Sequence, residues 1–169
     1  MIAGLHADSW RRHYRGAYSD AFLDGDVVSD RRAVWRSRFG DRAGTATIVA
    51  EQDGVDGVSG VRGFVHVVFD DDPRWGSLVD NLHVADGHRH RGVGTLLLRA
   101  AADAVRARAA AERLYLWVLE QNTAAQRFYR ARGGVQVESV PVAAAGGVPG
   151  RLSGAPVKLR MVWATAQIS

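Results

Sequence analysis

Apolar and polar positions divide the chain into helical and extended stretches. Ile2, Leu5, Trp10 and Tyr14 recur at roughly helical spacing, with Gly16 as a stop. Ala21-Phe22-Leu23 is a short apolar run closed by the turn signal Asp24-Gly25-Asp26. Ser29 or Asp30 can cap a second helix with Val34, Trp35 and Phe39 on one side, ending at Gly40-Asp41. Thr45 to Glu51 and Val61 to Phe69 read as strands joined by a Gly- and Asp-bearing hairpin loop from Gln52 to Gly60. Asp70-Asp71-Asp72-Pro73 breaks the second strand, and Leu78 to Val84 forms a third.

A glycine-bearing loop then leads into a helix over about 92–111, with an apolar stripe of Leu96, Leu97, Ala100, Ala101 and Ala104. Leu114 to Leu119 is a strand. Thr123-x-x-Gln126 fits a capping box that opens a short helix with Ala124, Ala125 and Phe128 inward, stopping at Gly133-Gly134. Val135, Val137 and Val140 suggest another strand. Ala143 to Pro156 reads as a mobile Gly/Pro-rich loop, and Val157, Leu159 and Met161 alternate with Lys158 and Arg160 in a last, half-exposed strand. The pattern is one domain spanning 1–169, without an internal repeat: an antiparallel meander that feeds the glycine loop, then helix and strand.

Composition narrows the function. With 169 residues the chain can bury a sizeable core, and 47% apolar with 24% charged residues is ordinary for a soluble globular protein. There is no run long enough to span a membrane and no signal-like N-terminus, so the expectation is a cytoplasmic protein without membrane association. Absence of cysteine excludes disulfides, thiolate metal sites and a cysteine nucleophile. The net charge of +4 raises nucleic-acid binding. Yet all basic residues but Lys158 are arginines, scattered along presumed solvated faces, so no nucleic-acid footprint is expected.

The stretch from Leu78 to Leu98 carries the chemistry. Strand, glycine loop and helix start converge free N–H groups and a positive helix end, a place to hold a phosphate. Gly87 to Gly92 has the G-x-x-x-x-G spacing, but Val93-Gly94 stand where a nucleotide-triphosphate loop needs Lys and Ser/Thr. Gly92-x-Gly94 lacks the third glycine of a dinucleotide fingerprint, since Leu97 occupies that position. His88-x-His90 with Asp86 has no evident third ligand, so no metal is expected there.

What fits is Arg89-x-x-Gly92-x-Gly94. It resembles the Gln/Arg-x-x-Gly-x-Gly/Ala signature of the GNAT superfamily of N-acetyltransferases, bacterial type. Leu82-His83-Val84 precedes it, and Asn122, Ala125, Phe128-Tyr129 and Gly133 resemble the family's second motif. Leu5 to Trp10 and Tyr14-Arg15-Gly16 look like the first helix of many members, so the resemblance covers nearly the whole chain. It implies an α/β fold with a mixed, mostly antiparallel central sheet flanked by helices. Members usually open with a strand before that helix. This chain is helical in pattern from Met1-Ile2, so that strand is expected to be absent or replaced.

The resemblance further implies acetyl transfer from acetyl-CoA to a primary amine by direct attack in a ternary complex. The acceptor is a small molecule or a peptide, and a homodimer is compatible. Arg89, His90, Arg91, Gly92, Val93, Gly94 and Thr95 would wrap the pyrophosphate, the glycines allowing close backbone approach. Leu82 and Val84 would pair with the pantetheine arm, with the Val84 N–H at the thioester carbonyl, and Asn122 would hydrogen-bond the cofactor or cap its helix. Tyr129 matches the family's general acid. For the base, Asp80 is the first candidate, Glu120 the second and His83 the third, because a regular strand would point His83 away from Asp80. Trp10, Tyr14 and Trp35 are candidates for the acceptor pocket, although such aromatics are more often core. A non-catalytic acyl-CoA-binding sensor would share the loop but would not need Asp80 or Tyr129.

Overall fold

β-rich and helical stretches alternate so that one sheet is covered on both faces. A computed structural model describes residues 1–40, 42–52 and 60–169. The expected hairpin loop after Gln52 and the Asp41 helix stop lie outside the described residues. Six strands form one sheet: β1 (Thr45–Gln52), β2 (Gly60–Asp72), β3 (Gly76–Val84), β4 (Leu114–Leu119), β5 (Val135–Pro141) and β6 (Val157–Trp163), in the order β1-β2-β3-β4-β6-β5. Every neighbouring pair is antiparallel except β3 with β4. This is the mixed, mostly antiparallel α/β arrangement expected. Among the described residues no strand precedes α1 (Ile2–His13), and β1 forms one edge. No helix among them is long and apolar enough to cross a membrane.

Strand alternation sends Val65, Val67, Val79, Leu116 and Val118 to one face, where they pack on α4 (Val93–Arg108). The other face meets α1, α2 (Asp20–Asp24) and α3 (Val27–Gly40), whose Trp10, Phe22, Leu23 and Val27 cluster with Leu119. The α4 stripe is rotated from the expected one. Val93, Leu97, Leu98, Ala101, Ala102 and Val105 are buried, whereas Leu96 is 62% exposed. Val93 anchors the row by helical spacing, which turns Leu96 to solvent.

Several boundaries also move. The first helix stops at His13, and α3 starts at Val27 rather than at a Ser29 or Asp30 cap, because the Asp30 N–H already bonds the Asp26 carbonyl at 2.9 Å. β2 runs through the aspartates to Asp72, whose carboxylate accepts the N–H groups of Arg74 and Trp75 at 2.8 and 2.9 Å. The acidic run therefore ends a strand by making its turn rather than breaking it early. The 143–156 segment is anchored, not loose. The Ser19 N–H bonds the Arg151 carbonyl at 2.9 Å, Ser153 N–H bonds Ala17 at 3.0 Å, and Arg151 pairs with Asp30.

The sheet opens at its one parallel junction. β3 and β4 pair only at Ser77–Leu114, Leu78–Tyr115 and Val79–Leu116. Against β2, His66 faces Asn81 and Val67 faces Val79, so Asp80 has no partner and forms a bulge. An extra residue bends its strand and adds twist. Beyond it the two strands diverge, leaving a seam between Asp80–Val84 and Trp117–Leu119.

Candidate active site

The α4 N-terminus closes one end of this seam. Gly92 caps it in the left-handed region, at φ +82°, with only open space where a Cβ would stand. Its glycine is thus required by backbone conformation, not by crowding. Gly94 is the reverse case, because a Cβ there would come 3.3 Å from Phe128 Cζ. The first intrahelical bond is from the Leu96 N–H to the Gly92 carbonyl at 3.0 Å. The N–H groups of Val93, Gly94 and Thr95 therefore precede the ladder and add to the positive helix end. Val93 has its side chain in the core and Arg91 is exposed, so only their backbones belong to this turn.

Along the seam the backbone of β3 is half-used. Ala85 gives its N–H to the Arg62 carbonyl of β2 at 2.7 Å. Alternation then directs the N–H groups of Val84 and Leu82 away from β2, toward the gap where no strand pairs with them.

A cleft of about 440 Å³ fills the gap. Its walls come from both faces of the sheet. Ser9 and His13 of α1 and Tyr14, its C-cap, lie on one side. On the other lie Gly92, Gly94 and Thr95, together with Phe128, Tyr129 and Arg132 from α5 (Thr123–Arg130) and the turn after it. Leu82, His83, Val84, His88, Arg89, His90 and Asn122 also line it, with Val118, Ala124 and Ala125. Asn122 itself is the α5 N-cap, accepting the Ala125 N–H at 3.1 Å. The expected Thr123/Gln126 box does not form, since the Gln126 amide turns back to the Leu119 and Glu120 carbonyls.

The polar side chains are tightly held. Arg89 donates to His13 Nε2, and burial together with that guanidinium lowers the His13 pKa. Arg132 Nε donates to Thr95 Oγ1 at 3.0 Å. His83 Nδ1 and Ser9 Oγ share a 2.7 Å hydrogen bond, and burial pushes the His83 pKa down to about 3, helped by the charges of His13, Arg31, Arg38 and Arg89. Burial pushes the Tyr129 phenol up to about 12. Tyr14 stacks on Trp10 with ring centroids 4.6 Å apart and is also shifted upward by burial. Trp10 and Trp35 are core aromatics rather than cleft walls.

Of the three candidate bases, only His83 lines the cleft. The bulge turns Asp80 to the α3 side, where Arg38 pairs with it and also donates to Asn81. Glu120 is exposed beyond the end of β4 and is not among the lining residues. Ser9, His13 and Arg132 carry no site role in the sequence pattern, and His88 enters there only as part of the rejected metal motif. His6, Ser9 and His13 do share one face of the first helix by their spacing, a signal that could have marked that face.

Residues 7–133 match the sequence model of the acetyltransferase (GNAT) family. The chain belongs to the GNAT acetyltransferase family. Nourseothricin acetyltransferase is 30% identical, with a TM-score of 0.58, over 72% of this acetyltransferase and 66% of that chain. The Salmonella typhimurium protein yncA, solved with its cofactor acetyl-CoA, is 21% identical over 96% of this chain and 85% of its own, with a TM-score of 0.62. A ribosomal-protein-alanine N-acetyltransferase from Brucella melitensis is 19% identical over 96% and 91%, with a TM-score of 0.67. The last two share the fold. A search of curated proteins finds no match. As an acetyltransferase of this family, the chain uses acetyl-CoA as acetyl donor.

Proposed function

We propose that this acetyltransferase modifies a primary amine by direct attack, with donor and acceptor held together in the seam between β3 and β4. The observation that carries this reading is a single cleft with an anion-binding helix end on one side and a buried, protonated phenol on the other. Acetyl-CoA, when bound, supplies an acetyl group activated as a thioester.

The chain's own residues divide the work. The turn from Arg89 to Thr95 fits phosphate, through the unpaired N–H groups of Val93, Gly94 and Thr95 and the charge of Arg89 and Arg132 nearby. The gap-facing edges of Leu82 and Val84 fit an extended amide-bearing arm, and the Val84 N–H stands free to meet charge developing on an acyl oxygen. Asn122 contributes to the same wall while capping α5. Tyr129 Oη holds a proton at neutral pH and can deliver it to a departing thiolate.

A lysine-like amine has a pKa of about 10.4 and arrives protonated. Ser9, backed by His83, is the polar pair that can orient it. With its pKa near 3, His83 does not retain the proton, and Asp80 is engaged by Arg38. In this reading the proton leaves to water at the mouth of the cleft.

Calorimetric titration with acetyl-CoA, followed by an amine panel that includes nourseothricin and is scored by free thiol release, tests the proposal. Saturable binding and thiol release with at least one amine are expected. Absence of acetyl-CoA binding overturns the reading. Binding without turnover on any amine would point to an acyl-CoA sensor instead.

A further inference from the structure

Both arginines of the cleft are held by neutral acceptors. Arg132 Nε donates to the Thr95 hydroxyl, and Arg89 donates to His13 Nε2. Arg89 and His13 line the cleft together, although 76 residues separate them in the chain. Among the described residues no aspartate or glutamate lines it. Asp86, 60% exposed, stands 3.6 Å from Arg89 Nε, and Arg12 Nη1 lies closer to the same carboxylate oxygen, at 3.2 Å. The last two residues of α1, Arg12 and His13, therefore meet the loop that leads to Gly92.

A guanidinium stays protonated, so the His13 nitrogen that accepts from it carries no proton, and the ring is neutral with its proton on Nδ1. Burial, with the charges of Arg89 and Arg12, keeps it neutral against the pull of Asp86. A carboxylate in this place would hold Arg89 but cancel its charge. An imidazole holds the guanidinium and leaves its full positive charge for an anion. Arginine also has much rotamer freedom to lose on binding, and a side chain fixed beforehand loses less of it at that moment.

Resting on the reading that the turn from Arg89 to Thr95 holds the donor's pyrophosphate, we propose that His13 is a positioning residue for acetyl-CoA, orienting the Arg89 guanidinium toward the phosphates without neutralising it. The helix that carries Ser9 on one wall of the cleft thereby takes part in gripping the donor.

Calorimetric titration of the intact protein compares acetyl-CoA with S-acetylpantetheine, which has the same thioester and arm but no phosphate. His13→Ala should weaken acetyl-CoA binding by about tenfold, the scale of one charge-assisted hydrogen bond, and leave S-acetylpantetheine unchanged. His13→Gln, whose side-chain oxygen can accept from Arg89 without carrying charge, should restore binding. Arg89→Ala should weaken acetyl-CoA binding at least as far, and His13→Ala added to it should cost nothing more. Unchanged acetyl-CoA affinity in His13→Ala, equal weakening for both ligands, or additive losses in the double variant would each overturn the proposal. Impairment by Arg89→Ala alone would leave the phosphate site standing and remove His13 from it. A parent protein that does not bind acetyl-CoA would overturn the site reading as well.

A second measurement needs no ligand. Nitrogen NMR of the histidine rings, with His13 assigned by its loss in His13→Gln, should show a neutral ring protonated on Nδ1 at neutral pH. Its Nε2 signal should move in Arg89→Ala. An imidazolium, a ring protonated on Nε2, or an Nε2 signal unmoved by Arg89→Ala would overturn the proposal wherever acetyl-CoA binds.

Discussion

Ser9 and His83 are hydrogen-bonded at 2.7 Å although 74 residues separate them in the chain. The bond ties α1 to the edge of the seam, and burial leaves His83 a neutral, weakly basic ring. A base of ordinary carboxylate or imidazole strength would give a kcat/KM profile that levels off once it is deprotonated. Here kcat/KM should instead rise with unit slope up to the acceptor amine's own pKa. With Tyr129 at about 12, no falling limb should appear below pH 10. A plateau beginning between pH 5 and 7 in steady-state rates would require a stronger base than this cleft shows.

Stability should fall with acid through buried histidines, His6 and His83 above all, with His13 and His66 lowered in the same direction. His6 Nδ1 accepts the Trp35 indole N–H at 3.1 Å, so the neutral ring carries its proton on Nε2 and a second proton would face a donor. Burial lowers the pKa of His6 and of His83 well below the usual 6.5. Both are neutral in folded and unfolded chains above that value. Below it only the unfolded chain takes protons, so each histidine removes about 1.4 kcal/mol per pH unit, until its folded pKa is reached. Denaturant midpoints from pH 7 to 4 should follow this slope. His6→Gln keeps an acceptor for Trp35 and should flatten it by about one proton's worth.

Tyr129→Phe keeps the ring between Phe128 and Trp163 and removes only the hydroxyl. Because a thiol with a pKa near 8.5 leaves tolerably unaided, turnover should drop by about ten- to a hundredfold, not to zero. Acetyl-CoA affinity by calorimetry should be unchanged. A variant as fast as the parent would remove the phenol from the mechanism.

The two loop glycines should fail in different ways. Gly92→Ala meets no neighbour but must hold a left-handed φ, costing about 1–2 kcal/mol. It should weaken acetyl-CoA binding by loosening the turn. Gly94→Val pushes on Phe128, so it should alter the cleft wall and slow turnover even where binding persists. Thermal melts with and without acetyl-CoA, set beside initial rates, separate the two.

Asp80→Asn releases Arg38 from its ion pair without emptying the bulge. If the amine's proton leaves to water, kcat/KM should change by less than about tenfold, the scale below which general-base loss is not indicated. A loss of a thousandfold would return Asp80 to the role its sequence position first suggested.

Backbone-driven features were the most legible ones. Gly92 and Gly94 announce themselves because only glycine serves there, and Asn122, Phe128 and Tyr129 stand at fixed offsets on one short helix. What escaped depends on a single unpaired residue. The Asp80 bulge cannot be read from a strand's hydrophobic pattern, yet it decides which face Asp80 shares and where β3 parts from β4. Leu96 and Leu98 look alike in sequence, and only the packing of Val93 tells which one is buried. Likewise, the 143–156 segment has the composition of a loose loop, while its hold on Ser19, Ala17 and Asp30 is made by residues more than a hundred positions away.

The short parallel pairing between β3 and β4 also bears on the order of events. Because the seam is walled from both helical layers, donor and acceptor in the proposed ternary complex would rest against different walls of one cleft. Initial-rate plots against both substrates should then intersect, and parallel plots would count against direct attack in a ternary complex.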